Sequence, residues 1–113
     1  MNHYWGKLVR DEVPTILFSK GIKFELETLT DLQYEHQLAR KLVEEAEEVV
    51  DCSSRENLIE ELGDLQEVID HIMLNNKITT YEVMSARIEK NQLYGDFSQK
   101  QFIRMANEEP KSE

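Results

Sequence analysis

The sequence is poor in residues that cross-link or interrupt a chain, with one cysteine, two prolines and four glycines. A single thiol excludes an internal disulfide framework and favours a reducing compartment. So little proline and glycine permits long uninterrupted helices. No apolar run approaches the roughly 20 residues of a membrane span, and the opening residues lack the apolar stretch of a signal peptide. We therefore expect a cytoplasmic protein without a membrane partner.

Positive charge is also scarce, with 13 Lys and Arg against 23 Asp and Glu and a formal net charge of −10. Binding to a nucleic-acid polymer depends on basic groups that neutralise phosphates, so this balance argues against it. A chain this acidic that handles a smaller polyanion has to import positive charge, most simply as metal ions. The 113 residues, 40% hydrophobic and 32% charged, have the size and composition of one globular domain spanning 1–113.

Helix start signals divide the chain. Capping-box patterns begin at Thr30, Ser53 and Thr79, and a weaker one begins at Ser98. They predict helices over 31–51, 54–76, 80–93 and 99–107. The last residues, 107–113, are predicted to form a frayed tail.

A short helix is predicted ahead of these, over 12–19. Asp11 is the expected cap, Pro14 is tolerated in the first turn, and Gly21 ends the helix. The segment 23–29 alternates apolar and polar residues, which favours a short extended piece.

Apolar residues repeat at helical spacing in the three long predicted helices. The stripes are Leu38, Leu42, Ala46, Val49 and Val50; then Leu58, Leu62, Leu65, Ile69, Ile72 and Met73; then Tyr81, Met84 and Ile88. All three are expected to be core, and the short connection between the first two helices predicts an antiparallel hairpin.

The predicted fold is therefore all-α: a helical hairpin plus additional helices. One hairpin and a short third helix leave apolar surface uncovered. We expect a four-helix-type bundle completed by oligomerisation, as a homodimer or a dimer of dimers.

Four acidic residues border the predicted seam of the hairpin. Glu45 and Glu61 fall at the edge of or within the apolar stripes, and Glu48 and Asp64 follow each of them one turn along. Four carboxylates at one seam repel, so either their pKa values rise or a cation lies among them. Oxygen ligands without Cys or His nearby favour Mg²⁺ or Mn²⁺ over zinc.

Acidic runs are also typical of a solvated helix face, and the spacing alone leaves both interpretations open. A carboxylate-bridged di-iron site is disfavoured, because it needs Glu-x-x-His pairs and neither His36 nor His71 has a Glu three residues before it. Zinc spacing, a Gly-rich phosphate loop and a nucleophile elbow are absent from the sequence.

Two motifs resemble a known superfamily. Glu44-Glu45-x-x-Glu48 followed by Glu61-x-x-Asp64 resembles the EExxE…ExxD signature of the all-α nucleoside triphosphate pyrophosphohydrolases, which include the MazG-type enzymes. The opening KLVRDEVP, residues 7–14, is similar to the KLVRDKIP start of a MazG-like subgroup labelled phosphoribosyl-ATP pyrophosphohydrolase-like. The resemblance runs from about residue 7 to 103.

The resemblance implies a Mg²⁺-dependent hydrolase that cleaves a nucleoside triphosphate to monophosphate and pyrophosphate and clears non-standard nucleotides. It implies metal ligation by Glu45, Glu48, Glu61 and Asp64, with Glu45 or Glu48 as general base. Glu44 is expected to orient a ligand or a water without binding the metal itself.

Lys7 and Arg10 are the expected phosphate contacts, with salt bridges to the acidic helices as the equal alternative. Lys90 is a further candidate for phosphate, and Asn91 for sugar or phosphate, or else as an amide at the edge of the core.

The chain departs from the subgroup near its end. Tyr94 and Asp96 stand where the subgroup often has an arginine and a glycine. If that arginine normally contacts phosphate, the contact falls here to Lys90 or Arg87, or the chain binds a different ligand.

Two other functions stay open on the sequence. One is a non-catalytic acidic helical interaction module. The other is the phosphoribosyl-ATP pyrophosphohydrolase of histidine biosynthesis, from which the opening motif points away. No pattern identifies the base or sugar of a nucleotide.

Overall fold

The computed structural model describes residues 6–107. Over that range the chain is helical and contains no strand, which confirms the predicted all-α class. The elements are α1 (Val13–Ser19), α2 (Asp31–Val50), α3 (Arg55–Asn75) and α4 (Thr80–Tyr94). The chain falls into two compact units, one ending at Thr79 and the other beginning at Thr80. No helix in the described range is both long and apolar enough to cross a membrane.

α2 and α3 pack along each other as an antiparallel hairpin. Tyr34, near the start of α2, approaches His71, near the end of α3, with 3.5 Å between Oη and Nδ1. At the other end of the pair, Glu45 of α2 lies beside Glu61 of α3. Leu38 and Val68 are the buried apolar residues of this seam. The helices thus pair as predicted. The predicted core role of the two stripes is correct only in part, because Ala46, Val50, Leu62 and Ile69 are exposed.

The starts of α2 and α3 follow the predicted capping patterns, with a shift of one residue at α3. At α2 the full capping box forms: the Gln33 N–H donates to Thr30 Oγ1 at 3.2 Å and the Thr30 N–H donates to Gln33 Oε1 at 3.0 Å. At α3 the predicted Ser53 cap is wrong, because Ser54 Oγ accepts the Asn57 N–H at 3.0 Å. The Ser53 N–H instead donates to Asn57 Oδ1 at 3.3 Å.

α1 forms close to the predicted bounds. Glu12 rather than Asp11 holds the N-cap position and makes no side-chain cap bond, while Pro14 sits in the first turn. Gly21, with φ 73°, follows the helix, and its N–H donates to Phe18 O at 3.0 Å. This left-handed conformation suits glycine and ends the helix as predicted. Residues 23–29 form neither helix nor strand.

The predicted helix over 99–107 is wrong. A turn ends at Lys100, which has φ 57°, and residues 101–107 have no regular secondary structure. Phe102, Ile103 and Met105 are all exposed. A short helix without a packed face is marginal, because nucleation costs more than its few hydrogen bonds return. Of the predicted tail, residues 108–113 lie outside the described range.

The predicted core role of the α4 stripe is also wrong. Tyr81 is 80% exposed, and Met84 and Ile88 are exposed as well. Helical spacing shows that these residues share a face, but burial needs a second element against that face. Among the described residues, α4 is the only helix of the unit that begins at Thr80.

Candidate active site

Three carboxylates meet at the seam between α2 and α3. Glu45, Glu61 and Asp64 each offer an oxygen, and these oxygens lie within 4.8 Å of one another. Glu45 is only 9% exposed, and the other two are half-buried. Helical spacing places Glu61 and Asp64 on adjacent turns, and the hairpin brings Glu45 across to them. We call these three residues the acidic cluster.

Glu48, the fourth predicted ligand, is exposed and lies outside this group of three. Its charge still reaches the cluster, because it raises the pKa of Glu61. Desolvation is the largest cause of that raised pKa, and Asp64, Glu48 and Glu60 add to it by like-charge repulsion. Asn57 Nδ2 donates to Glu61 Oε1 at 3.5 Å and opposes the shift.

The pKa of Glu45 is raised as well, first by burial and then by the charges of Asp64, Glu44 and Glu61. The Lys41 ammonium acts in the opposite direction, from 3.7 Å away. The ionised form of two carboxyls of the cluster, Glu45 and Glu61, therefore carries a penalty from burial and like-charge repulsion. A divalent cation bound to them would remove that penalty.

The predicted phosphate contacts, Lys7 and Arg10, form ion pairs with the hairpin. Arg10 Nη2 donates to Asp64 Oδ1 at 2.7 Å, and Lys7 Nζ donates to Glu44 Oε1 at 3.3 Å. The salt-bridge alternative thus describes this structure. Both cations nevertheless lie at or next to the acidic cluster.

Lys41 is a site residue that the sequence analysis missed. Its Nζ lies 3.4 Å from Glu44 Oε1 and 3.7 Å from Glu45 Oε1. The i, i+3 and i, i+4 spacing to these glutamates was the available signal, since residues so placed are neighbours on a helix. Glu44, expected to be an orienting residue, is therefore held by two lysines.

The remaining predicted contacts lie on α4, in the unit that begins at Thr80. Lys90 and Asn91 are exposed there, and Tyr94 is the last residue of the helix. A hydrogen bond with the Ser98 side chain lowers the pKa of Asp96, and so does the Ser98 N–H, which donates to Asp96 Oδ1 at 2.9 Å. At this departure from the subgroup the aspartate thus stabilises a local turn.

The donor set of the acidic cluster consists of carboxylate oxygens, which fits Mg²⁺ or Mn²⁺. His71 is engaged elsewhere, with Nε2 3.0 Å from Glu67 Oε2. Cys52 is free and half-exposed in the loop between α2 and α3. Neither residue joins the cluster, so zinc and di-iron chemistry find no support among residues 6–107.

Comparison of the chain with protein-family models, with curated proteins and with solved structures gives no match.

Proposed function

We propose that this chain is a cytoplasmic Mg²⁺-dependent nucleotide pyrophosphohydrolase that cleaves a nucleoside triphosphate to a monophosphate and pyrophosphate. The observation that carries the proposal is the convergence of Glu45, Glu61 and Asp64, whose oxygens lie within 4.8 Å of one another. The same residues occupy acidic positions of the motif that resembles the pyrophosphohydrolases. Clearance of non-standard nucleotides is the role that the resemblance implies.

In this proposal Glu45, Glu61 and Asp64 hold the cation, and Glu48 adds a fourth carboxylate at the exposed edge of the cluster. A divalent cation bound there polarises a phosphate group and activates a water molecule. Glu45 and Glu48 are the two candidates for general base. Glu44 stays outside the cation's ligands and positions Lys7 and Lys41.

Both the proposed substrate and the chain are negatively charged, so binding requires cations around this site. A triphosphate carries about four negative charges, and the chain it approaches has a formal net charge of −10. Lys7 and Arg10 are close enough to the acidic cluster to contact phosphate oxygens once they leave their carboxylate partners. Lys90 stays a predicted phosphate contact on the resemblance alone, and Asn91 stays a predicted sugar or phosphate contact because it shares a helix face with Tyr81 and Ile88.

We also propose that the chain works as a homodimer or a dimer of dimers. The support is the exposed apolar face of α4, with Tyr81 80% exposed, which a second copy would cover. Sedimentation velocity over a range of concentrations tests this. A mass of one chain at every micromolar concentration would contradict it.

The hydrolase is tested by measuring pyrophosphate release from a panel of nucleotides with and without Mg²⁺. The panel includes standard, deoxy- and base-modified triphosphates and phosphoribosyl-ATP. We expect Mg²⁺-dependent release that Glu45→Gln abolishes and Glu35→Gln preserves, since Glu35 is an exposed glutamate of the same helix. Mg²⁺ binding without release from any nucleotide would favour the non-catalytic acidic module. Release from phosphoribosyl-ATP alone would favour the histidine-pathway enzyme.

A further inference from the structure

A cleft of about 400 Å³ lies along α2, next to the acidic cluster, and the segment before α1 borders it. This volume falls in the range of small-molecule clefts, about 300–1,000 Å³. Lys7, Arg40 and Lys41 line it together with Glu44 and Glu47. Three cations against two carboxylates leave the cleft positive, in a chain whose formal net charge is −10. We call it the basic cleft.

Two ammonium groups of the basic cleft converge on one oxygen. Lys7 Nζ lies 3.3 Å and Lys41 Nζ 3.4 Å from Glu44 Oε1. Their side chains are 34% and 23% exposed, so both are partly withdrawn from water. Arg40 takes part in no ion pair within residues 6–107. One carboxylate therefore serves two lysines, and Arg40 beside them has no acidic partner among the described residues.

We infer that the basic cleft is an anion subsite that takes the terminal phosphates of the nucleotide. A phosphate group carries more charge than the Glu44 carboxylate and offers three acceptor oxygens, so it can replace that carboxylate on both lysines. Arg40 adds a planar donor that can engage two phosphate oxygens at once. This inference rests on the proposed function, because it names where the substrate's phosphates lie.

The position of Lys41 connects this subsite to the acidic cluster. Its Nζ lies 3.7 Å from Glu45 Oε1 as well as 3.4 Å from Glu44 Oε1. Phosphates in the basic cleft are thereby adjacent to a cation held by Glu45. Such an arrangement places one end of a triphosphate on protein cations and the scissile region at the carboxylates.

The test measures binding of inorganic pyrophosphate by calorimetry in chelator-treated buffer at low ionic strength, with no divalent metal present. The variants are Arg40→Gln and the double change Arg40→Gln/Lys41→Gln. The matched control is Lys20→Gln/Lys23→Gln, which removes the same charge from exposed lysines outside the cleft. We expect the cleft double variant to bind pyrophosphate at least about tenfold more weakly, because it loses two charge-assisted contacts. The control should stay within about twofold.

A gain-of-binding variant sharpens the test. Glu44→Gln removes the resident anion from Lys7 and Lys41, so it should bind pyrophosphate more tightly than the parent. Circular dichroism melts check that each variant is folded. Arg40→Gln disturbs no ion pair in the described part of the chain, so it keeps the test valid if the Lys41 change unfolds the protein.

Three outcomes would overturn the inference. The first is an equal loss of pyrophosphate affinity in the cleft and control variants, and the second is no loss of affinity in either cleft variant. The third is that neither the parent nor Glu44→Gln binds pyrophosphate. The hydrolase can fail separately. Cleft-dependent pyrophosphate binding without hydrolysis of any nucleotide would sink the proposed function and leave the subsite. Nucleotide hydrolysis by a protein whose pyrophosphate binding is unaffected by the cleft variants would reject the subsite and leave the proposed function.

Discussion

The Arg10 guanidinium is bound to the acidic cluster, with Nη2 2.7 Å from Asp64 Oδ1. Asp64 is one of the three residues whose oxygens converge there. A divalent cation that binds Asp64 therefore meets a resident positive charge. Arg10 offsets the charge of one carboxylate of the cluster, Asp64, and would compete there with the proposed metal ion.

Replacing Arg10 with Gln should raise the affinity for Mn²⁺ about three- to tenfold, because a positive charge next to the cation is removed. Calorimetric titration with Mn²⁺ at fixed ionic strength measures this. Arg55→Gln, at an exposed arginine that begins α3, is the matched control and should change the affinity little. Equal or weaker Mn²⁺ binding by the Arg10 variant would show that Arg10 only fastens the segment before α1 to the hairpin.

Glu61→Gln should leave the metal-free chain equally stable or more stable. Burial and the charges of Asp64, Glu48 and Glu60 all raise the pKa of Glu61, so neutralising this residue relieves repulsion. The same change removes one of the proposed metal ligands. Pyrophosphate release should then fall at least about a hundredfold, the scale for loss of a major electrostatic contributor.

Thermal melts with and without Mg²⁺ separate these two effects. Mg²⁺ should stabilise the Glu61 variant less than the parent. Glu60→Gln, a change at the exposed neighbouring glutamate, should keep the full response to Mg²⁺. An active Glu61→Gln protein with a normal Mg²⁺ shift would remove Glu61 from the site.

Metal-free stability should depend on pH through Glu45 and Glu61. Both have pKa values raised above 4.5 in the folded chain, so the folded state holds more protons than the unfolded state between 4.5 and the raised values. The free energy of unfolding contributed by these groups therefore falls as pH rises through that window and is recovered as pH falls toward 4.5. Urea unfolding of the parent and of Glu45→Gln/Glu61→Gln over this range measures it. A double variant with the parent's pH profile would contradict the assignment.

The start of α3 offers a test of the fold itself. Ser54→Ala should lower the free energy of unfolding by about 1 kcal/mol, since Ser54 Oγ accepts the Asn57 N–H. Ser53→Ala is the matched control and should cost much less, because Ser53 contributes its backbone N–H to Asn57 and that group is kept. Urea unfolding compares the two, and an equal cost would argue for a cap at Ser53.

Capping residues and helical periodicity predicted the main helices well, but they did not predict what packs against each helix. Thr30 and Gln33 form the predicted capping box because both partners lie within four residues of each other. The stripe of Tyr81, Met84 and Ile88 has the right period, yet these residues are exposed. Periodicity shows which residues share a face and cannot show whether another element covers it.

The residues of the candidate site also fall into a group that helical spacing predicts and a group that it does not. Glu61 and Asp64 were predictable because helical spacing aligns them, and the hairpin added Glu45. The pairing of Arg10 with Asp64 joins residues on elements with no common periodicity, so the sequence left it as one of two alternatives. Lys41 was missed because a lysine near glutamates on a helix is a common surface pattern.

The Lys41 ammonium touches Glu44 in the basic cleft and Glu45 in the acidic cluster. An anion that draws Lys41 toward the cleft deprives Glu45 of its counter-charge, which strengthens the pull of that carboxylate on a cation. Thermodynamic linkage makes the effect reciprocal: a cation on Glu45 must strengthen anion binding in the cleft by the same factor. If the proposed metal site and anion subsite are both correct, this single lysine would make the two halves of a metal–nucleotide complex bind cooperatively, and the protein would favour the complex over either ion alone.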